Sequence, residues 1–203
     1  MHLQARTANE ARYYLMVTPC PQCGKGPWVF GSADQTFSPA DQGQQAIPAM
    51  TVKAYCRSCS GPKEFTFQVQ HDVPLTGSDC ETINPTPAPS ELIDLAGWLS
   101  LFYLLLERAS TSPDHILSRK AGYQAALCLG EALKFYADNE DLPPESAFFT
   151  PASQAVYREH PDNFSRQQLR DMQGKLPSMG VMARRVDRDH WVAHKKWWQF
   201  WRR

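Results

Sequence analysis

Pro19-Cys20-Pro21-Gln22-Cys23-Gly24 and Cys56-Arg57-Ser58-Cys59-Ser60-Gly61 are the two stretches on which the reading of this chain turns. Each contains a C-x2-C knuckle, and four thiolates presented by two such turns make a ligand set for tetrahedral Zn2+. Cys20, Cys23, Cys56 and Cys59 are therefore the expected metal ligands. The expected role of the Zn2+ is structural, because four cysteine ligands leave no open position for water or substrate. A redox dithiol or an iron–sulfur cluster is the alternative use of the same residues. Gly24 and Gly61 beside the knuckles suit the left-handed backbone that tight turns often require.

Between the knuckles, 32 residues separate Cys23 from Cys56. A zinc ribbon more often has about 15–20 there, so something is inserted. The insert reads as two strands, Trp28-Val29-Phe30 and Ile47 to Tyr55, joined by a long polar loop from Gly31 to Gln45. Beyond the second knuckle Phe65, Phe67 and Val69 alternate with Thr66, Gln68 and Gln70, the pattern of a half-buried strand. The expected unit is a small antiparallel zinc-ribbon sheet, too small to bury an adequate core without its metal. Thr7-Ala8-Asn9-Glu10 matches a capping box and opens a short helix through Ala11, Tyr14 and Leu15 into the first knuckle.

The rest is helical in pattern. After the stiff connector Pro85-Thr86-Pro87-Ala88-Pro89, Ser90 is expected to cap a helix running to about Arg108, apolar nearly all round and hence buried. Ser112-Pro113-Asp114 starts a second long helix with Ile116, Leu117, Tyr123, Ala126, Leu129, Ala132 and Tyr136 on its core face. Pro151 to Arg158 and Ser165 to Gly174 read as shorter helices. The fold class is α+β, a small zinc-ribbon sheet packed with a mainly helical bundle. The expected organisation is a helix and ribbon over 1–75, a helical region over 90–178 and a tail over 181–203, with 74–89 as the seam.

The tail differs in character, carrying a formal +5 in a chain whose net charge is zero, and four of the six tryptophans lie in its last thirteen positions. Trp197, Trp198 and Trp201 among these basic residues suit a docked helix, a membrane surface, single-stranded nucleic acid or a protein interface. His190 and His194 stand one helical turn apart, but without the glutamate of an H-E-x-x-H pattern they read as exposed histidines. Cys80 reads as a loop thiol and Cys128 as a core thiol. The acidic residues Glu107, Glu131, Asp138, Glu140, Asp141 and Glu145 have helix-surface or cap readings. No Gly-rich phosphate loop, nucleophile elbow or Cys-His signature is present, so no enzymatic reaction is expected. The opening residues lack a basic region followed by an apolar run, and Leu95 to Leu106 is too short to cross a bilayer. A cytoplasmic protein is expected, its reduced thiols fitting that compartment.

The order of the pieces carries a resemblance. Glu10-Ala11-Arg12-Tyr13-Tyr14-Leu15 precedes the first knuckle, Glu64-Phe65-Thr66-Phe67 follows the second, and Pro89-Ser90-Glu91-Leu92-Ile93-Asp94 and Pro144-Glu145-Ser146-Ala147-Phe148-Phe149 come after. This layout resembles a group of poorly characterised bacterial proteins with an N-terminal zinc ribbon and a helical C-terminal half. Proteins of that sort are similar to the immunity proteins of polymorphic toxin systems. The resemblance implies a non-enzymatic cytoplasmic binder whose partner is a cognate toxin domain. On that expectation, Asp138, Glu140, Asp141 and Glu145 form an acidic surface for a basic partner, with Trp197, Trp198 and Trp201 as further contacts. The alternative expectation is a zinc-ribbon protein associated with nucleic acid, although Lys25, Lys53, Arg57 and Lys63 are scattered through the ribbon segment.

Overall fold

A computed structural model describes residues 3–38, 48–71 and 82–200, with the side chains of 190–200 outside that description. The fold is α+β, with five strands in one mixed sheet and six helices among the described residues. The chain opens with β1 (Leu3–Ala5) and α1 (Ala8–Val17), followed by β2 (Trp28–Val29), β3 (Gln35–Ser38), β4 (Ala49–Cys56) and β5 (Pro62–Val69). The sheet order is β1-β5-β4-β2, and β3 also pairs with β4. β2 covers the Tyr55–Cys56 end of the β4 edge and β3 covers the Ala49–Val52 end.

Two strands correct the expected ribbon. β1 pairs with β5 in parallel, Leu3 opposite Phe67 and Ala5 opposite Val69, so the sheet is mixed rather than antiparallel throughout. β3 lies inside the stretch expected to be a loop. It is an edge strand whose Phe37 is exposed, which is why its polar sequence does not read as a strand.

One face of the sheet is buried. Met50, Val52 and Ala54 of β4 and Phe65, Phe67 and Val69 of β5 point to the same side, as their period of two requires, and pack against Ala11 and Leu15 of α1. The opposite side of α1 presents Tyr13 to a second core. That core is built on the antiparallel pair α2 (Leu95–Thr111) and α3 (His115–Leu133), with Trp98, Leu101, Phe102 and Leu105 facing Ala125, Cys128, Leu129 and Ala132. Phe148, Phe164 and Leu169 close it, carried by the segment containing α4 (Pro151–Glu159) and by α5 (Arg166–Lys175). α1 is thus the layer shared by the sheet and the helices.

Helix starts follow local capping chemistry. Thr7 Oγ1 accepts the Glu10 N–H at 3.2 Å, but the Glu10 carboxylate accepts from the Arg6 N–H, so the expected box is only half formed. α2 starts later than expected because Asp94, not Ser90, is its cap: Asp94 Oδ1 accepts from the Gly97 N–H at 2.8 Å. Ser90 Oγ instead accepts from Leu92 and Ile93, organising a turn before the helix. The stretch Ser112-Pro113-Asp114 does start α3, with Asp114 as its cap and Pro113 before the helix, and Thr150 with Ser153 forms a full capping box on α4.

α6 (Met179–Phe200) begins at the stretch read as a tail. Its Met182 and Val186 are buried against Tyr123 and Ala126 of α3. Asp189 accepts two hydrogen bonds from Arg119, at 2.9 and 3.0 Å. Residues 179–189 therefore belong to the folded body, and no helix among the described residues is long and apolar enough to cross a membrane. Cys80 and Trp201 lie outside the described residues, as do the side chains of His190, His194, Trp197 and Trp198.

Candidate metal centre

The two knuckles are built alike. In the first, the Gly24 N–H donates to the Cys20 carbonyl at 2.8 Å and the Cys20 N–H to the Lys25 carbonyl at 2.6 Å. In the second, the Ser60 N–H donates to the Cys56 carbonyl at 2.8 Å and the Cys56 N–H to the Gly61 carbonyl at 2.9 Å. The residue after the second cysteine is left-handed in both, Gly24 with φ 68° and Ser60 with φ 58°. This corrects the role expected for Gly61, since the strained position falls on a serine. Gly61 instead lies against the exposed Gln22 side chain. A Cβ there would lie 2.1 Å from Gln22 Oε1, and that side chain would have to move.

Local chain geometry brings the knuckles together. α1 ends at Thr18 and releases the chain directly into Cys20, while Cys56 closes β4 and the second knuckle forms the β4–β5 turn. Trp28 of β2 pairs with Cys56 in the sheet. Two cross-links tie the turns to each other, Arg57 N–H to the Pro27 carbonyl at 3.0 Å and Ser58 Oγ to the Gly26 carbonyl at 3.2 Å.

The outcome is a cluster in which the Sγ atoms of Cys20, Cys23, Cys56 and Cys59 all lie within 4.8 Å of one another. Cys20 to Cys59 and Cys23 to Cys56 are both 3.7 Å. Thiolates bound at about 2.3 Å to one tetrahedral ion are about 3.8 Å apart, so these separations are those of a mononuclear site. They are far longer than the roughly 2.05 Å of a disulfide, and all four cysteines are free. Cys20 and Cys56 are buried in the same apolar cluster as Trp28 and Phe65, whereas Cys59 is exposed. The centre is therefore continuous with the sheet core on one side and open to solvent on the other.

The thiols differ in acidity. Burial pushes Cys56 up, but the N–H groups of Cys59 and Ser58 and the neighbouring thiols outweigh it and bring Cys56 down to about 7. At Cys59 the Gly61 N–H pulls downward, yet burial and the three neighbouring thiols together raise it to about 12. Crowded thiols thus hold a proton that a bound cation would displace. Cys128 takes no part. It is fully buried between α2 and α3, and burial followed by the charge of Glu131 raises its thiol strongly.

The expected partner residues are placed differently from one another. Asp141 accepts from the Gln167 N–H and from Ser165 Oγ, both at 2.8 Å, so it holds the start of α5; these bonds, first from Gln167, keep its carboxyl below the ordinary range. Glu145 pairs with Arg158 at 3.2 Å on the surface. Asp138 and Glu140 are exposed beside them, and the Asp138 carbonyl accepts from Arg166. Glu131 departs from its helix-surface reading, for only 6 % of it is exposed.

Fold and site together define an α+β protein in which four cysteines with the spacing of metal ligands close the end of a mixed sheet, with helices packed behind. Compared with protein-family models, curated proteins and solved structures, the chain finds no match in any of the three.

Proposed function

We propose that the centre binds Zn2+ as a structural ion and that the chain is a non-enzymatic protein-binding module, an immunity protein that neutralises a bacterial toxin domain by direct contact in the cytoplasm. Zn2+ is favoured over a cluster because all four sulfurs lie within 4.8 Å of one another, whereas a polynuclear cluster spreads its thiolates over several irons. In this reading the ion's four positions are all taken by cysteine, and its work is to hold the sheet end.

The observation that supports the binding role is that Leu104 and Leu106 of α2 and Ile116 and Leu117 at the start of α3 are each more than a third exposed. Exposed leucine and isoleucine side chains offer apolar area that a protein partner would cover. Asp138 and Glu140 supply negative charge for a basic rim on the partner, while Asp141 and Glu145 are committed to contacts within the chain. The test is co-expression with the toxin domain encoded beside this chain's gene. Restored growth and a one-to-one complex that Leu104→Asp or Ile116→Asp weakens support the reading. Growth arrest in the presence of folded, metal-loaded protein overturns it. Salt-sensitive binding of the isolated protein to RNA or DNA, with no protein partner, would favour the nucleic-acid alternative, for which the exposed Arg184, Arg185 and Arg188 of α6 are the relevant observation.

A further inference from the structure

The segment 82–94 passes between the β1–α1 turn and the C-terminal end of α3, and polar groups fasten it on both sides. From the first side, Thr7 Oγ1 donates to the Ile83 carbonyl at 2.5 Å, Asn9 Nδ2 to the Thr82 carbonyl at 3.0 Å, and Arg6 pairs with Glu91 at 2.7 Å. From the other, Lys134 Nζ donates to the Asn84 carbonyl at 3.0 Å, the Thr86 carbonyl at 2.8 Å and Glu131 Oε1 at 2.8 Å. Two carboxyl groups are buried in this junction, Glu10 with 1 % exposure and Glu131 with 6 %. In each, one oxygen is bonded, to the Arg6 N–H or to Lys134, and the other, Glu10 Oε1 or Glu131 Oε2, has no well-formed hydrogen bond, with only the lowering influence of Ser90 on Glu10 and of Asn84 on Glu131.

A buried carboxylate oxygen without a well-placed donor is costly, and the charge of Glu10 adds to that cost at Glu131. A proton removes the charge and converts an acceptor with nothing to accept into a donor. We propose that Glu10 and Glu131 form a proton-operated latch that fastens residues 82–94 across the junction of sheet and helices, tightening it in mild acid and loosening it as pH rises.

The charged and titratable groups that face the pair come from every element around it. Arg6 and Lys134 face Glu10, together with the Ser90 hydroxyl; Lys134, Glu10 and Asn84 face Glu131, and Cys128 lies one turn back on α3. Arg6 is shared with the exposed Glu91 and Lys134 with the Asn84 and Thr86 carbonyls, so two half-buried cations serve the two buried carboxylates. Burial is the leading cause that raises both carboxyls, with their mutual repulsion adding to it at Glu131. A carboxyl raised in the folded state contributes stability that is complete below its free value of 4.5 and is lost as pH rises through the folded value. The latch is therefore an acid-side fastening.

The experiment uses the full chain with its metal bound. Amide exchange of residues 83–93, corrected for intrinsic rates, is followed from about pH 8 to about pH 5.5. The wild type is expected to open less often at the acid end, because a carboxyl raised by burial takes up its proton in the folded state before it does in the open one. Glu10→Gln and Glu131→Gln are each expected to flatten that dependence. Because either variant risks misfolding, carboxyl carbon shifts of Glu10 and Glu131 are titrated by NMR in the wild type. Midpoints above the ordinary carboxyl range support the latch. Midpoints at or below it, or an opening rate with the same pH dependence in wild type and both variants, overturn it.

Discussion

Removing the metal from the four-cysteine centre is expected to lower the melting temperature of the whole chain by about 8–16 °C. An ion present at about a thousand times its dissociation constant stabilises the folded state by roughly 4 kcal/mol, and for a chain of this size each kcal/mol moves the melting temperature by about 2–4 °C. The structure shows why the loss is felt in the core and not only at a surface loop. Cys20 and Cys56, at 1 % and 0 % exposure, belong to the apolar cluster of Met50, Val52, Phe65 and Phe67, so releasing the ion frees residues that wall that cluster. Calorimetry at neutral pH, before and after equilibration with a strong chelator and with metal content measured on each sample, reads the effect. X-ray absorption of the zinc-loaded protein should show four sulfurs at about 2.3 Å. Metal-free protein that melts within about 2 °C of the loaded form would refute the claim that the ion holds the sheet.

Three further outcomes follow from single contacts. Ser60→Gly should raise stability slightly, because a serine in left-handed backbone costs about 1 kcal/mol and glycine's greater freedom in the unfolded chain offsets part of that gain; a drop in melting temperature would mean the Ser60 hydroxyl is needed. Ending the chain after Ser178 should cost about 3–6 kcal/mol, since Met182 and Val186 are each worth roughly 1.5–3 kcal/mol buried and the partly exposed Arg119–Asp189 pair adds under about 1 kcal/mol; a truncated protein with an unchanged denaturation midpoint would show that α6 does not hold α3. Asp141→Ala should destabilise the start of α5 at neutral pH. Because Asp141 is held below its free value of 3.8, its contribution is present above that value and is lost as pH falls through the folded one, so wild type and variant should converge in strong acid; a gap that persists there contradicts the capping role.

What is legible in the sequence is what is encoded over a few residues. The ligand set is such a case, because a C-x2-C turn places both of its sulfurs on one side whatever lies elsewhere. The inward face of β5 is another, since Phe65, Phe67 and Val69 declare it by alternation alone. β1 is different. Leu3-Gln4-Ala5 carries no period, and its strand character comes from pairing with residues 67–69 across the fold. Glu131 shows the same limit for a side chain. A glutamate beside Ala132 and one turn from Leu127 looks like any helix-surface charge, and it is buried only because 82–94 folds over the end of α3. Glycine usually occupies left-handed turn positions, which is why Gly61 draws that reading in the second knuckle; the equivalence of Ser60 to Gly24 emerges only from the matching hydrogen bonds of the two turns.

α1 is the element on which these contacts converge. Its C-terminal end runs into the first knuckle, so a bound ion would fix that end to the β4–β5 turn; its N-terminal cap Thr7 is bonded to residues 82–94, which Lys134 in turn holds to the end of α3. Between those ends, Ala11 and Leu15 face the sheet while Tyr13 faces Trp98. The two fastenings are chemically independent, one depending on thiolates and a cation and the other on buried carboxyls. Loss of the metal should therefore open the molecule from the knuckle end, with strands β2, β4 and β5 losing protection before α2 and α3, whose own core of Trp98, Phe102, Leu105 and Leu129 contains no ligand. A metal-free protein whose strand and helix amides exchange at the same rate below its melting temperature would mean that α1 transmits the loss to the bundle at once.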